Sequence, residues 1–521
     1  MFSRARFKTR RAIYFHVLIM ATRGRIRDAM QQAAQWGRRR GFASLPAGTP
    51  AARPMLGGRI LHDTLVENGV EHVFGYSGGA NLPVLDAFHK SPITFVMNRS
   101  EQCCGHAAEG YAKASGRPGV ILTTSGPGAP PRAHARLDGA RARMKPARAA
   151  RSRPDEIDAA ARGRARPRAG LTNIITPLQD AKGDSVPMVA LSGQVPTHAV
   201  GTDAFQECAS VDLTRPCTKW SYQVRSVEEI RSVMYEAFSV ATSGKRGPVH
   251  IDLPKDVMVS ILNGEELPVS IPSARRTIDS TNLADIARLM NGAERPILYV
   301  GQGAIDCTPT LRAFAEASNI PVTTTLHAMG IFDEHHPLSL HMLGMHGAAY
   351  ANYAIQNADL ILAVGSRFDD RTTGVLPKYA PAAKEAEREG RGGIIHFDIE
   401  RGQIGRVVQP TYAIEGDCRL AMEALMPLLH KKPRTPWLEQ CAAWKTSHPF
   451  SYAKAANGVI KTQQVIEAMY NFTKGPLQEK IVISTGVGNH QMMARAAPTA
   501  AARLWRCLLY TSDPADEEDS V

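Results

Sequence analysis

Short apolar runs alternate with amphipathic stretches along most of the chain. Between residues 56 and 254 the runs predict strands buried on both faces, at Val70–Tyr76, Ile93–Asn98, Val120–Thr124, Val186–Ser192 and Val249–Leu253. The stretches between them predict helices, at Arg59–Glu67, Gln102–Ala114 and Val227–Ala241. Alternation of this kind is typical of a parallel sheet covered by helices on both faces. The pattern therefore predicts an α/β fold with a doubly wound parallel sheet.

The same alternation begins twice more further along the chain. The second series has predicted strands Ile297–Val300, Val322–Thr325, Leu360–Val364 and Gly393–Phe397, with helices Leu283–Met290 and Thr310–Ala317. A third series starts with helix Thr462–Asn471 and strand Lys480–Ser484 and does not develop further. We therefore expect successive doubly wound domains at residues 56–260 and 281–430, and the start of a third at 460–495.

Two stretches interrupt this pattern. Residues 130–171 are rich in Arg, Ala and Pro and have no sustained hydrophobic period, which predicts no packed element. We expect them to be an anomalous insert, either a retained intron or a tolerated surface loop, since loop length itself costs little entropy. Residues 496–521 match nothing expected of a sheet-and-helix domain, and we interpret them as an aberrant tail.

The net charge of +13 is concentrated in two segments. Residues 1–45 carry +10 and residues 130–171 carry +8, which leaves −5 for the rest of the chain. Nucleic-acid binding requires a basic patch on a recognisable module, so we expect no nucleic-acid partner. No apolar run approaches the roughly 18 residues of a spanning helix, so we expect no membrane partner. The basic, acid-poor start indicates a mitochondrial transit peptide, with a disordered basic tail as the alternative.

The most informative passage reads GVEHVFGYSGGANLPVLDAF and then NRSEQCCGHAAEGYAKASGRPGVILTTSGPGA. Gly78 and Gly79 follow a predicted strand, where glycine lets the backbone approach a ligand closely. Glu101 begins a predicted helix, and its position alone indicates a favourable partner for the helix dipole. The context adds a second interpretation, because the passage closely resembles the pyrimidine-binding domain of thiamine-diphosphate enzymes.

The resemblance is closest to the catalytic chain of the acetohydroxyacid (acetolactate) synthase family. It implies that Glu101 is catalytic and binds the aminopyrimidine ring of thiamine diphosphate, whose thiazolium ylid then attacks a 2-oxo acid. The passages VPMVALSGQVPTHAVGTDAFQE and GPVHIDLPKDV continue the resemblance. They imply that Gln194 lies near this cofactor and that Phe205, Gln206 and Lys255 line the substrate channel, Gln206 and Lys255 being catalytic. A solvated surface lysine is the alternative for Lys255.

The second series resembles the middle domain of the same family, with YVGQG, NADLILAVGSRFDDR, GRGGIIHFDIE and AIEGD as matching pieces. The resemblance implies contacts with FAD, which does no net redox work in this family. The implied contacts are Gly301, Gly303, Leu343, Met345, His346, Gly365, Arg367, Asp369, Arg371, Asp398 and Asp417, together with Lys245 from the first series. Arginines suit the diphosphate because guanidinium pairs with phosphate oxygens in a fixed geometry.

The start of the third series reads STGVGNHQMMARAA and resembles the family's diphosphate-binding strand and loop. Val487, Gly488, Asn489 and His490 would make those contacts. The family holds Mg²⁺ through a GDG motif, and no GDG occurs in this sequence, so no metal ligand is assigned here. We therefore expect this polypeptide, as it stands, to be C-terminally truncated and to lack synthase activity.

The resemblance implies an enzyme, a transferase of branched-chain amino-acid biosynthesis, that condenses two pyruvates, or pyruvate and 2-oxobutyrate, with loss of CO₂. It further implies a homodimer or tetramer with a regulatory subunit, located in mitochondria. Two alternatives stay open. One is another thiamine-diphosphate carboligase or oxidase, and the other is an inactive fragment that retains FAD or partner binding.

Overall fold

The computed structural model describes residues 54–126, 170–263, 269, 277–453 and 458–473. These residues belong to two compact units that divide at residue 275. The predicted transit peptide 1–45, the predicted strand Lys480–Ser484 and the tail 496–521 lie outside the described residues, as does most of the predicted insert. Among the helices that the structure describes, none has the length and apolar character needed to cross a membrane.

The first unit is built on a six-stranded sheet in which every neighbouring pair is parallel, in the order β3-β2-β4-β5-β7-β6. Its strands are β2 (His72–Gly75), β3 (Thr94–Met97), β4 (Gly119–Thr123), β5 (Met188–Gln194), β6 (Trp220–Gln223) and β7 (Pro248–Pro254). Its helices are α1 (Gly57–Glu67), α2 (Leu82–Ala87), α3 (Glu101–Ser115), α4 (Ile175–Gly183), α5 (Ser210–Thr214), α6 (Ile230–Thr242) and α7 (Lys255–Val259). Two short strands, β1 (Met55–Leu56) and β8 (Ile261–Leu262), pair antiparallel beside it.

Helices cover both faces of this sheet, as the pattern of apolar runs predicts. Successive residues of a strand point to opposite faces. Val120 and Leu122 of β4 pack with α1 and α6, whereas Ile121 between them packs with α3 and α4. The inner strands β4, β5 and β7 are buried at every position, which explains their largely apolar sequences; the polar residues of β5 and β7 are buried as well. The prediction of a doubly wound parallel sheet is confirmed.

The strand predicted at Ile93–Asn98 differs from the prediction. It forms β3 at the edge of the sheet, where Met97 is 65% exposed, so it is not buried on both faces. The other edge strand, β6, escaped prediction because its sequence WSYQ is short and half-polar. Edge strands have only one neighbour and can remain partly exposed, so apolar runs mark them poorly.

The predicted insert 130–171 ends too late in the sequence. Gly170 donates a backbone hydrogen bond to the carbonyl of Gly126 at 3.3 Å. Leu171 is fully buried and begins a 3₁₀ turn, Leu171–Ile174, that leads into α4. Residues 170 and 171 therefore belong to the fold. The C-terminal limit predicted for the insert, residue 171, was wrong because a single buried Leu produces no hydrophobic period.

The second unit repeats the architecture with a parallel sheet in the order β11-β10-β9-β12-β13-β14. Its strands are β9 (Pro296–Val300), β10 (Val322–Thr324), β11 (Ser339–Met342), β12 (Leu360–Val364), β13 (Gly393–Asp398) and β14 (Tyr412–Glu415). Its helices are α8 (Leu283–Gly292), α9 (Thr308–Ser318), α10 (Ala349–Asn357), α11 (Asp370–Thr373), α12 (Pro381–Arg388), α13 (Cys418–Leu425), α14 (Thr435–Ser447) and α15 (Thr462–Thr473).

The four predicted strands of the second unit are present within one or two residues. Leu298 and Val300 of β9 pack on one face, and Ile297 and Tyr299 pack on the other. The strands β11 and β14 were not predicted. Both lie at the edges of the sheet, and their sequences SLHM and YAIE mix polar with apolar residues.

Candidate active site and flavin site

The first unit gathers its predicted site residues at one edge of the sheet. All six strands are parallel, so their carboxyl ends share this edge, where open α/β sheets bind ligands. Gly78, Glu101, Gln194 and Lys255 follow or end four different strands there. Phe205 and Gln206 lie in the segment after β5 at the same edge. Residues up to 177 positions apart in sequence therefore lie at the same edge of the sheet, because the strands are parallel.

Glu101 occupies the first turn of α3, immediately after the edge strand β3. The Ser100 hydroxyl accepts from the Cys103 amide at 3.3 Å and so caps the helix. The Glu101 side chain is buried, with the residue 5% exposed, and its Oε2 accepts from Asn173 Nδ2 at 3.0 Å. No other hydrogen bond to this carboxyl group is present within the described part of the chain, so Oε1 remains available to a ligand.

Gly78 is required by close packing at the same edge. A Cβ at this position would collide with the side chain of Thr124, which follows β4. The Gly78 amide donates to Asn81 Oδ1 at 2.9 Å, and Asn81 Nδ2 donates to the Tyr76 carbonyl at 3.0 Å. At Gly79, by contrast, a Cβ would meet no atom of the described residues within 4 Å, so close packing does not require glycine there.

Gln194 is held by the protein itself. Its Nε2 donates to the Cys208 carbonyl at 2.8 Å and to Asp252 Oδ2 at 3.1 Å, and its Oε1 accepts from the Val195 amide at 2.9 Å. The residue is 1% exposed. Gln194 therefore fixes the segment that follows β5, and any contribution to a cofactor is made through that segment.

The sequence analysis missed the buried carboxylate beneath Gln194. Asp252 is fully buried on β7 and accepts from Ser192 Oγ at 2.8 Å and Gln223 Nε2 at 2.8 Å, besides Gln194. His250, two residues earlier, contacts Ser192 Oγ at 2.8 Å, and its burial lowers its pKa from 6.5 to about 4. The motif HIDLP contains both residues, but a strand buried on both faces hides a polar network that only the cross-strand register reveals.

The substrate-channel candidates are mostly exposed. Phe205 is 81% exposed, and Lys255 is exposed at the start of α7. Gln206 has a φ of 65°, an uncommon conformation for a residue with a side chain. The described residues thus bring Glu101, Gln206 and Lys255 to one edge of the sheet without any direct contact between them.

The second unit also places its candidates at the carboxyl edge of its sheet. Gly301 and Gly303 follow β9, Leu343 to His346 follow β11, and Gly365 to Arg371 follow β12. Asp398 ends β13, and Asp417 follows β14. Lys245 is the exception, since it precedes β7 of the first unit and lies at the amino edge of that sheet, opposite Glu101.

Three glycines bring two of these loops into backbone contact. The Gly303 amide donates to the Gly365 carbonyl at 3.0 Å, and the Gly301 amide donates to the Val364 carbonyl at 2.9 Å. A Cβ on Gly301 would collide with the Gly365 carbonyl. Glycine loops of this kind expose backbone that an anionic group can approach closely.

The segment after β12 turns two arginines outward. Phe368 is buried against Tyr299, Tyr379 and His396, and its φ is 55°. Arg367 and Arg371 on either side are exposed. The ion pair of Arg371 with Asp370 is long, at 3.9 Å, and both side chains are largely exposed, so it contributes little to stability. The sequence analysis did not single out Phe368, because its packing against these rings depends on an unusual backbone conformation.

The three candidate aspartates have structural roles as well. Asp369 caps α11, where its Oδ1 accepts from the Thr372 amide at 3.2 Å. Asp417 caps α13 by accepting from the Arg419 amide at 2.9 Å, and Asp398 accepts from the Glu400 amide at 2.9 Å. Helix capping explains Asp at two of these positions without any ligand.

The remaining loop candidates divide by exposure. Leu343 is buried, whereas Met345 and His346 are exposed. The Met345 amide donates to the Arg371 carbonyl at 2.7 Å, which joins the loop after β11 to the loop after β12. Val487, Gly488, Asn489 and His490 lie outside the described residues.

The donor sets fit the two cofactors that the resemblance implies. The carboxylate of Glu101, with one oxygen anchored and one available, suits a ring nitrogen that carries a proton. The glycine loops of the second unit, beside exposed arginines, suit a diphosphate. A thiamine cofactor would supply a carbon acid and an electron sink, and Glu101 would hold its ring.

Comparison with known proteins gives the same two domains. Residues 55–133 and 165–213 match the thiamine pyrophosphate enzyme N-terminal TPP binding domain. Residues 283–425 match the thiamine pyrophosphate enzyme central domain. The two matches fall on the two parallel-sheet units.

Several curated proteins are similar over most of the chain. Acetolactate synthase, mitochondrial, of Schizosaccharomyces pombe is 43% identical over 459 residues, which are 84% of this chain and 62% of that protein. The acetolactate synthase catalytic subunit, mitochondrial, of Saccharomyces cerevisiae is 43% identical over 84% of this chain and 60% of its own length. The chain thus spans about three fifths of these fungal relatives.

The bacterial relative is covered more fully. Acetolactate synthase isozyme 1 large subunit of Escherichia coli is 35% identical over 463 residues, which are 88% of this chain and 72% of that protein. The two thiamine pyrophosphate enzyme domains matched in this chain agree with its similarity to these acetolactate synthases. The chain belongs to the acetolactate synthase family of thiamine pyrophosphate enzymes.

Proposed function

We propose that this chain serves as the catalytic polypeptide of an acetolactate synthase, joining two 2-oxo acids with loss of CO₂. The observation that carries the proposal is the Glu101 carboxyl group, buried at the carboxyl edge of the first sheet with Oε1 available. Glu101 would share a proton with the aminopyrimidine ring of thiamine diphosphate.

The second unit would bind FAD as a structural cofactor. Gly301, Gly303 and Gly365 would let the backbone approach the diphosphate, and Arg367 and Arg371 would pair with its oxygens. Lys245 lies in the other unit, and its contact with FAD rests on the family resemblance alone. Mg²⁺ belongs to the same proposal, although none of the described residues is assigned to it.

Partners and location are proposed from the names of the relatives. The yeast relative is named a catalytic subunit and the bacterial one a large subunit, so we propose a homodimer or tetramer that binds a regulatory subunit. The fungal relatives are named mitochondrial, and the basic first 45 residues agree with import into mitochondria. Pyruvate and 2-oxobutyrate are the proposed substrates.

The chain spans 62% of the Schizosaccharomyces pombe relative, so the test joins it to the residues of that relative that follow the matched region. The purified fusion is compared with its Glu101→Gln variant in the presence of pyruvate, thiamine diphosphate, Mg²⁺ and FAD. The substitution keeps the shape of the side chain and removes the carboxyl group that shares a proton. We expect acetolactate from the unsubstituted fusion and none above background from the variant, with equal FAD content in both. Bound FAD without acetolactate from either chain would overturn the catalytic proposal and favour an inactive, flavin-binding polypeptide. Equal turnover of both chains would make Glu101 a structural residue.

A further inference from the structure

Asn173 is the only described residue that donates a hydrogen bond to the Glu101 carboxyl group. The two residues are 72 positions apart in sequence, and their atoms Nδ2 and Oε2 are 3.0 Å apart. An amide has a fixed plane and a directed N–H bond, so it restricts the rotation of the carboxyl group that it contacts. We propose that Asn173 is the positioning residue that directs Glu101 Oε1 toward the cofactor.

The position of Asn173 is itself fixed by packing. It lies in the 3₁₀ turn Leu171–Ile174, whose two end residues are fully buried against Cys104 and Ala108 of α3. The Asn173 amide N–H donates to the Gly170 carbonyl at 3.2 Å, which closes the turn. The side chain therefore belongs to a rigid element that packs directly on the helix of Glu101.

Helix α3 is fixed to the following helix, α4, along its length. A Cβ on Gly105 would collide with Pro177, so the two backbones approach closely. Further along, Lys113 Nζ contacts Glu109 Oε1 at 2.7 Å and Asp184 Oδ2 at 2.9 Å. Because donor and acceptor belong to one packed pair of helices, the hydrogen bond requires little ordering when a ligand arrives.

The two oxygens of the Glu101 carboxyl group have different roles in this geometry. Oε2 is occupied by the Asn173 amide, which leaves Oε1 as the oxygen that can share a proton with a ring nitrogen. Without Asn173 the carboxyl group would rotate about its last bond and present either oxygen in several orientations. This inference rests on the proposed thiamine function of Glu101, but the hydrogen bond itself can be tested without any cofactor.

The first experiment observes the hydrogen bond in the cofactor-free chain. The chain is labelled with ¹⁵N-asparagine, and the Asn173 side-chain signal is identified by its loss in Asn173→Ala. In Glu101→Ala we expect this signal to shift and its amide protons to exchange faster with solvent. The matched control is Asn68, whose Nδ2 donates to the Thr64 carbonyl at 2.8 Å at the other edge of the sheet and whose signal should not move. An Asn173 signal unchanged by Glu101→Ala would overturn the proposal.

The second experiment measures thiamine diphosphate affinity by calorimetry in a double-mutant cycle. Asn173→Ala should weaken binding at least about tenfold, the usual effect of losing a hydrogen bond to a charged group. In a Glu101→Ala background the same substitution should have no further effect, because Asn173 acts through Glu101. Equal weakening in both backgrounds would refute the positioning role and indicate a general structural one.

A second variant and the two readouts together distinguish a failed positioning role from a failed thiamine function. If Asn173→Ala does not fold, Asn173→Asp keeps the size of the side chain, removes the donor and should weaken binding more strongly through charge repulsion. If no variant binds thiamine diphosphate, the proposed function fails, while the labelled-asparagine experiment still decides whether Asn173 holds Glu101. If the cofactor binds and the Asn173 signal ignores Glu101, the positioning inference fails alone.

Discussion

The contact between the loops after β9 and β12 predicts an unequal cost for three glycine substitutions in the second unit. Gly365 has a φ of 60°, and a Cβ there would lie 2.7 Å from the carbonyl carbon and the Cα of Gly303. Gly365→Ala therefore combines a left-handed backbone penalty of about 1–2 kcal/mol with an overpacking cost of about 1–3 kcal/mol. We expect a loss of about 3 kcal/mol in the free energy of unfolding and a large loss of FAD affinity.

Two matched variants separate these contributions. Gly390 has a φ of 70°, and a Cβ there would meet no atom within 4 Å, so Gly390→Ala should cost about 1 kcal/mol from the backbone alone. Gly301 has a φ of −103°, and its Cβ would collide with the Gly365 carbonyl, so Gly301→Ala should cost about 2 kcal/mol from crowding alone. The sum of these two effects should approach the cost of Gly365→Ala.

The assay is urea unfolding of each chain, followed by the fluorescence of Trp437 and Trp444, which both lie on α14 of the second unit. FAD binding is measured in parallel by equilibrium dialysis. We expect Gly390→Ala to bind FAD normally, and Gly301→Ala and Gly365→Ala to bind it poorly. If Gly365→Ala costs no more than Gly390→Ala and keeps its FAD, the loop contact has neither the energetic nor the functional importance assigned to it.

Two further predictions concern the first unit. His250 is fully buried with a pKa of about 4 against 6.5 for a free imidazole, so the folded state binds fewer protons and loses stability as pH falls from 6.5 to 4. Between pH 6.5 and 4 the original chain should lose about 3 kcal/mol more free energy of unfolding than His250→Asn. Urea unfolding at pH 7, 5.5 and 4 measures this difference. The same dependence of the free energy of unfolding on pH in both chains would contradict the prediction. Deleting residues 130–169 should raise thermal stability and soluble yield, because Gly126 and Gly170 already lie in contact. Deleting 130–171 should lower thermal stability and soluble yield, since it also removes the buried Leu171. Equal stability and yield of the original chain and the 130–169 deletion would support a tolerated loop.

Most of the central strands could be predicted because their burial on both faces produces continuous apolar runs. β12 was predicted at its observed limits, and β9 and β10 within one residue. The edge strands β6, β11 and β14 could not, since partial exposure permits polar residues that break the run. Gly78, Glu101 and Gln194 were grouped by the family resemblance, and the structure places all three at the carboxyl ends of strands, where open α/β sheets bind ligands.

Contacts between distant residues were beyond the sequence. Nothing in the sequence indicates that the Asn173 amide contacts Glu101, 72 positions away. Asp252 looked like one polar residue in a strand, and only the pairing of β5 with β7 shows that it accepts from Ser192 and Gln194. Lys245 lies in the first unit, and its contact with FAD stays a prediction from the family resemblance.

The hydrogen bond between Gly170 and Gly126 has a consequence for protein engineering. β4 and β5, which lie on either side of residues 127–169, are neighbours in the sheet and pair in parallel over five residues from Gly119 to Thr123. The chain could therefore be expressed as two polypeptides divided between Gly126 and Gly170, and the ladder between β4 and β5 would guide their reassembly. Glu101 and Asn173 would then reside on separate fragments, so that the Glu101 carboxyl group would acquire its hydrogen bond from Asn173 only when the fragments associate. Formation of the hydrogen bond between Asn173 and Glu101 would then indicate that the two fragments have associated.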